Sequence, residues 1–193
     1  MDSFADITGL VSLTDHLVGK CRIDVIDYVA SPSYDDNTKM GTLEGTPSFN
    51  FGRDAADIIA GVPEGIIASY GIKDSGGFKA TLQEYQIAKL GYNLGLGAGN
   101  FSSSGTTPVG KWNFGGNLGL RYFSARITGR LADGNYLVVT FHKGRFNPKY
   151  EQNMSAGPNF RDLEFVAMID TTKDMGANVG SVEITTADPW APA

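Results

Sequence analysis

The stretch GIIASYGIKDSGGFKATLQEYQIAKLGYNLGLG, residues 65–97, carries the decision about the fold. Ile66, Ala68, Tyr70 and Ile72 fall on one face of an extended segment and Ser69, Gly71 and Lys73 on the other, which predicts a strand. Asp74-Ser75-Gly76-Gly77 has the small and self-bonding residues of a turn. Phe78, Ala80 and Leu82 then alternate again. Thr81-Leu82-Gln83-Glu84 matches a capping box, in which Thr81 and Glu84 satisfy free N–H groups at a helix start. Leu82, Tyr85, Ile87, Leu90 and Leu94 continue at helical spacing, with Gly91 or Gly95 able to close the helix. The expectation is a strand followed by one helix whose apolar face lies on a sheet.

On the N-terminal side, Ile58, Ile59 and Val62 run into Pro63-Glu64-Gly65, a turn. Before them PSFNFGR (47–53) alternates through Phe49 and Phe51. Residues 20–29 read as a strand with Cys21, Ile23, Val25 and Val29 on one side. Residues 30–46 have no sustained period, so the two strands around them are expected to form a hairpin with a long protruding tip.

On the C-terminal side, residues 98–119 are loop-like. Phe123, Ala125, Ile127, Gly129 and Leu131 then share one strand face. Asp133-Gly134 supplies a turn, and Leu137, Val139 and Phe141 point inward on the return strand. A second long loop spans 147–160. Leu163, Phe165, Ala167 and Ile169 form the face of a further strand, and VGSVEITT forms the last. Residues 1–18 are expected to be an arm and 187–193 a short tail. The sum is seven to nine strands and one helix in a single domain over 1–193. Its class is mainly β (α+β): two packed antiparallel sheets, sandwich- or barrel-like, flanked by one α-helix.

Composition narrows the function. The 193 residues carry a formal charge of −5, without the overall basic footprint of a free nucleic-acid-binding module. Residues 1–57 hold ten carboxylates against four bases, and the rest hold eleven against twelve. Cys21 is the single cysteine, which excludes an intrachain disulfide and a cysteine-based zinc site. No signal peptide is visible, and no run approaches the length of a membrane-spanning helix.

Catalytic motifs are thin. His16 and His142 are the only histidines, and no G-x-S-x-G elbow accompanies them. Gly105–Lys111 follows a phosphate-binding loop for seven positions, then places Trp112 where magnesium needs Ser or Thr. Asp35-Asp36-Asn37 lacks the spaced ligands of a calcium loop. The aromatic residues lack interleaved bases and fit packing better than stacking on nucleic acid. No catalytic, cofactor or metal residues are assigned, and assembly is favoured over enzymatic activity. A small-ligand or carbohydrate-binding β-sandwich is the alternative of a different class.

The strand, turn and FKATLQEYQIAKLGYNLG of the opening stretch resemble the strand-to-helix signature of the tail tube (major tail) proteins of long-tailed bacteriophages. NYLVVTFHKGRFNP, a long loop, then DLEFVAMID is similar to the C-terminal half of the same family. The resemblance implies a structural virion protein: six subunits in a ring, and rings stacked into the tube through which viral DNA passes. It implies assembly in the host cytoplasm, with tape measure, tail-tip and tail terminator proteins as partners and DNA in transient, non-specific passage. Contractile-tail tubes and the tube of type VI secretion are the neighbouring alternatives. Within that reading Asp24 and Asp27 are expected to face the lumen, where carboxylates keep DNA from sticking. Tyr34, Asp35, Asp36, Lys39, Met40 and Leu43 are expected in a loop that contacts the next ring.

Overall fold

The computed structural model describes residues 21–60, 65–85, 91–94, 101–102, 111–112, 121–147, 161–174 and 177–190. Nine strands are described: β1 (Arg22–Asp27), β2 (Gly41–Ala60), β3 (Gly65–Tyr85), β4 (Phe101–Ser102), β5 (Lys111–Trp112), β6 (Phe123–Arg130), β7 (Tyr136–Phe146), β8 (Arg161–Met168) and β9 (Gly180–Thr185). Two single 3-10 turns, Asp36–Thr38 and Gly91–Leu94, are the helical elements among the described residues. The fold is mainly β and its ladders are antiparallel.

One seven-stranded sheet runs β1-β6-β7-β8-β3-β2, with β9 joined to β7; β4 and β5 pair separately. Strand β7 divides its second edge. Tyr136–Phe141 pair with β9, and Lys143–Phe146 pair with β8. The two ends of the sheet then meet. Lys39, just before β2, bridges Asp24 of β1, and the Met40 N–H donates to the Ile23 carbonyl at 2.9 Å. This contact covers the open edge of β1 at Ile23 and Asp24 and curls the sheet toward closure.

Alternation places the core. Ile23 and Val25, Phe123, Ala125 and Ile127, Val139 and Phe141, and Leu163, Phe165 and Ala167 are all buried. Successive residues on a strand point to opposite faces, so each set fills the inside of the barrel as its spacing predicts. The centre is aromatic. Phe78 stacks on Phe165 at 5.1 Å, Phe165 meets Phe146 edge-on at 5.2 Å, and Phe146 lies 5.7 Å from Phe123. Gly144 permits this, because a Cβ there would run into the Phe165 ring. The β6–β7 turn is a short loop with Gly134 at φ +92° and Asp133 accepting from the Asn135 backbone N–H at 2.9 Å.

Three expectations are corrected. The helix does not begin at Thr81: residues 78–85 remain in β3 with β2 on one side, and β8 on the other as far as Leu82. Thr81 gives its hydroxyl to Asp162 Oδ1 at 2.8 Å instead of capping a helix. Leu82 is buried, but as a strand residue of the barrel interior. Tyr85 ends β3 opposite Gly41, Leu94 ends a 3-10 turn, and Ile87 and Leu90 lie outside the described residues. Local helical spacing lost here to pairing with two neighbouring strands, which satisfy the backbone groups a helix would have served.

Asp74–Gly77 is continuous strand rather than a turn. Nor do residues 20–29 and 47–53 form a hairpin, because β1 pairs with β6. The long hairpin is the next one, β2 with β3. The expected mainly-β, sandwich- or barrel-like class stands, its strands belonging to a single sheet that curls around its core. The loop 148–160, the arm 1–18 and most of 98–119 lie outside the described residues.

Candidate assembly surface

Strand β2 has 20 residues and β3 has 21, about four times the usual strand length. Only the proximal part of this hairpin belongs to the barrel wall. Strand β8 pairs with β3 from Leu82 back to Gly77 and stops there. Beyond that point, Phe51 to Ala60 and Gly65 to Gly76 pair only with each other among the described residues. The result is a two-stranded ribbon standing out from the barrel with both outer edges unpaired among the described residues.

Cross-strand chemistry holds the ribbon in register. Arg53 grips Asp74 through Nε–Oδ1 at 2.6 Å and Nη2–Oδ2 at 3.1 Å. Their mutual hydrogen bond is the main cause that raises the arginine's pKa and lowers the carboxyl's. Asp54 lies opposite Lys73, and Ser69 donates to Asp57. Register shifts at Asp54/Ala55 and Ile58/Ile59 twist the ribbon. Toward its tip the polar pairs give way to isoleucine: Ile58, Ile59 (60% exposed) and Ile66 (63% exposed). The tip residues 61–64, with Pro63 and Glu64 of the expected turn, lie outside the described residues, and Gly65 opens β3.

A second unpaired edge stands beside the ribbon's base. Strand β9 pairs with β7 alone, leaving its far edge open among the described residues. Val182 lies opposite Val139, and Ile184 opposite Leu137, so both point to the face that carries the core. Nevertheless Ile184 is 61% exposed. Phe51 connects the two features: it stacks on Phe141 at 5.0 Å, and the approach depends on Gly180, whose Cβ would press on its ring. Between ribbon and β9 lies an open cleft of about 370 Å³, lined by Phe51, Arg53, Asp74, Ser75, Asn178 and Val179.

The expected site residues are placed elsewhere. Asp24 is 0% exposed. It accepts from Arg22 Nε at 2.8 Å, from Thr38 Oγ1 at 2.9 Å and from Arg126 Nη2 at 3.3 Å. As a lumen-facing carboxylate it is corrected: its charge is spent on the protein's own cations. Asp27 is half-buried. Of the expected ring-contact loop, Met40 and Leu43 are in the core. Lys39 closes the barrel, Asp35 caps a 3-10 turn, and the Tyr34 ring covers the Arg126 guanidinium at 4.5 Å. Most of this segment is thus a strap across the outer face of β1 and β6, with Asp35 and Asp36 exposed on it.

Cys21 is half-buried, and burial pushes its thiol up, away from a reactive thiolate. Burial, then the charge of Lys173, holds His142 below its ordinary pKa. Among the described residues no helix is long and apolar enough to cross a membrane.

The exposed residues of ribbon and β9 are absent from the expected site. A signal for the ribbon existed: Ile58-Ile59-Ala60 and Ile66-Ile67-Ala68 mirror each other about Val62-Pro63-Glu64, with alternation on both sides. A scan of protein-family models finds none that matches the chain, and a search of curated proteins likewise finds no match.

Proposed function

We propose that this chain is a self-assembling structural subunit, a tail-tube-like protein whose copies form rings and whose rings stack into a conduit. The observation that carries the reading is the β2–β3 ribbon, with two edges unpaired among the described residues and exposed isoleucines toward its tip. An isolated two-stranded ribbon is marginal in water, and free edges invite pairing with another chain. A ribbon this long gains its stability when a neighbour covers it. The exposed edge of β9, with Val182 and Ile184, offers a second surface for the same purpose.

The details follow from the resemblance: six copies per ring, DNA in the lumen, tape measure, tail-tip and terminator proteins as partners, and a place in the virion tail. A net charge of −5 suits a conduit for a polyanion, since fixed cations would bind phosphates and slow their passage. The tube of a contractile tail or of a secretion machine makes the same demand on the ribbon. Negative-stain microscopy with size-exclusion chromatography and light scattering tests the reading. Rings or tubes, and a mass near six times 20.6 kDa or above, are expected. A particle that stays monomeric at high concentration, and also when seeded with tail-tip complexes, overturns it.

A further inference from the structure

Strand β9 is an edge without the usual guards. Its six residues include neither lysine nor proline, and its ladder with β7 runs without a register shift. Its one charge, Glu183, lies on the face opposite Val182 and Ile184. Both apolar side chains are exposed, although they share the face that carries the core. A regular strand edge flanked by apolar side chains is a template for pairing with another strand.

The ribbon tip matches it in chemistry. Residues 58–60 and 65–69 carry no charge, and Ile58, Ile59 and Ile66 are exposed. The two patches of one chain cannot meet, however. The ribbon leaves the barrel against the start of β9, where a Cβ on Gly180 would lie 3.0 Å from the Phe51 ring. From Phe51 to Ile59 the ribbon runs about 26 Å, and from Gly180 to Ile184 β9 runs about 13 Å, at about 3.3 Å per residue. Pairing continues to Ala60 and Gly65, so the ribbon stays extended and its tip lies out of reach of its own β9.

We infer that β9 takes the ribbon tip of a second copy, strand edge against strand edge, a contact that rests on the chain being a self-assembling subunit. Giver and taker are different surfaces, so the contact is head-to-tail. Each joined pair keeps one free tip and one free β9, and copies add until a ring closes or a helix winds on. A strand of six residues is about 20 Å long, so one contact covers less than the roughly 800 Å² per partner of a standard interface. Isolated dimers are therefore weak, and the contact holds where every copy gives and takes at once.

Cross-linking between copies tests the contact. On a Cys21→Ser background, which removes the single native thiol, Ile66→Cys places a thiol at the tip and Ile184→Cys places one on β9. A short bismaleimide is expected to join the two variants into a dimer on a denaturing gel when they are mixed, and to leave either variant alone monomeric. Val182→Asp, at an exposed position, is expected to abolish the mixed dimer when added to the Ile184→Cys chain, and to abolish rings and tubes in the wild-type chain. Should Val182→Asp not fold, the mixing experiment decides alone. Rings from the wild type without a mixed dimer, or an equal yield of dimer from either cysteine variant alone, overturn the β9 contact and leave self-assembly standing. A mixed dimer without rings or tubes supports the contact and overturns the tube. Neither dimer nor rings overturns both.

Discussion

Arg53 and Asp74 face each other across the free-standing part of the β2–β3 ribbon, joined by two hydrogen bonds of 2.6 and 3.1 Å. They sit where β3 has already lost β8 as a neighbour, so this pair adds to the β2–β3 ladder where no third strand supports it among the described residues. Replacing Arg53→Glu sets two carboxylates opposite each other. The expected outcome is an unchanged barrel, seen as an unchanged Tm by circular dichroism, with faster proteolysis of the ribbon and weaker assembly. The wild-type pair is also acid-sensitive. Asp74 titrates below its ordinary 3.8, so its contribution is present above that value and is lost as pH falls through the lowered one.

The tip isoleucines separate folding from assembly. Ile59 and Ile66 are opposite each other and mostly exposed. Ile59→Asp with Ile66→Asp is expected to change monomer stability by no more than about 0.5 kcal/mol per site, as exposed substitutions do. The same double variant is expected to abolish rings and tubes by microscopy. Normal tubes from it contradict the proposed role of the ribbon.

Asp24 behaves oppositely. Its carboxylate lies between two guanidiniums that are themselves 12% and 13% exposed. Asp24→Ala leaves buried cations uncompensated, and breaking such a pair from one side costs about 3–5 kcal/mol. Urea unfolding of the purified variant measures the loss directly. A change below about 1 kcal/mol contradicts the buried network and returns Asp24 to the surface.

His142 gives the fold a second acid response. Burial and Lys173 hold its folded pKa below the ordinary 6.5, so the unfolded chain binds the proton more readily. Stability is therefore complete above about pH 6.5 and declines as pH falls from there toward the lowered folded value. His142→Gln is expected to flatten the Tm-against-pH curve in that window and leave it unchanged above pH 7.

Strands β6 to β8 are legible because alternation survives in them: the inward places of Phe123, Ala125, Ile127, Val139, Phe141, Leu163 and Phe165 all follow from it. The exceptions are instructive. Val29 and Ile169, read as inward, fall just beyond the ends of β1 and β8 and are exposed. Thr81–Glu84 carried a local helix signal, but a capping box is worth little beside two flanking strands that complete the same backbone hydrogen bonds. Asp24 looked like a surface carboxylate because spacing along one strand cannot reveal a strap folding over it from residues 31–40. Thr38 and Arg126 reach it from other parts of the chain, Tyr34 covers Arg126, and only the closed fold brings them together.

Barrel closure at Lys39 and Met40 has a metric consequence. Since β1 has no edge to offer there, a neighbour engaging the ribbon sits at a distance set by residue count. From Asn50 to Ala60 that reach is roughly 35 Å at about 3.3 Å per residue. In the proposed assembly the hairpin then acts as a ruler. Deleting two residues from each of its strands shortens the spacing by about 7 Å and keeps every side chain on its original face. Deleting one from each turns the isoleucines to the other side. Where the ribbon spans the proposed stacking of rings, a tube built from the first variant is expected to show a finer axial repeat, its diffraction layer lines moving outward in proportion.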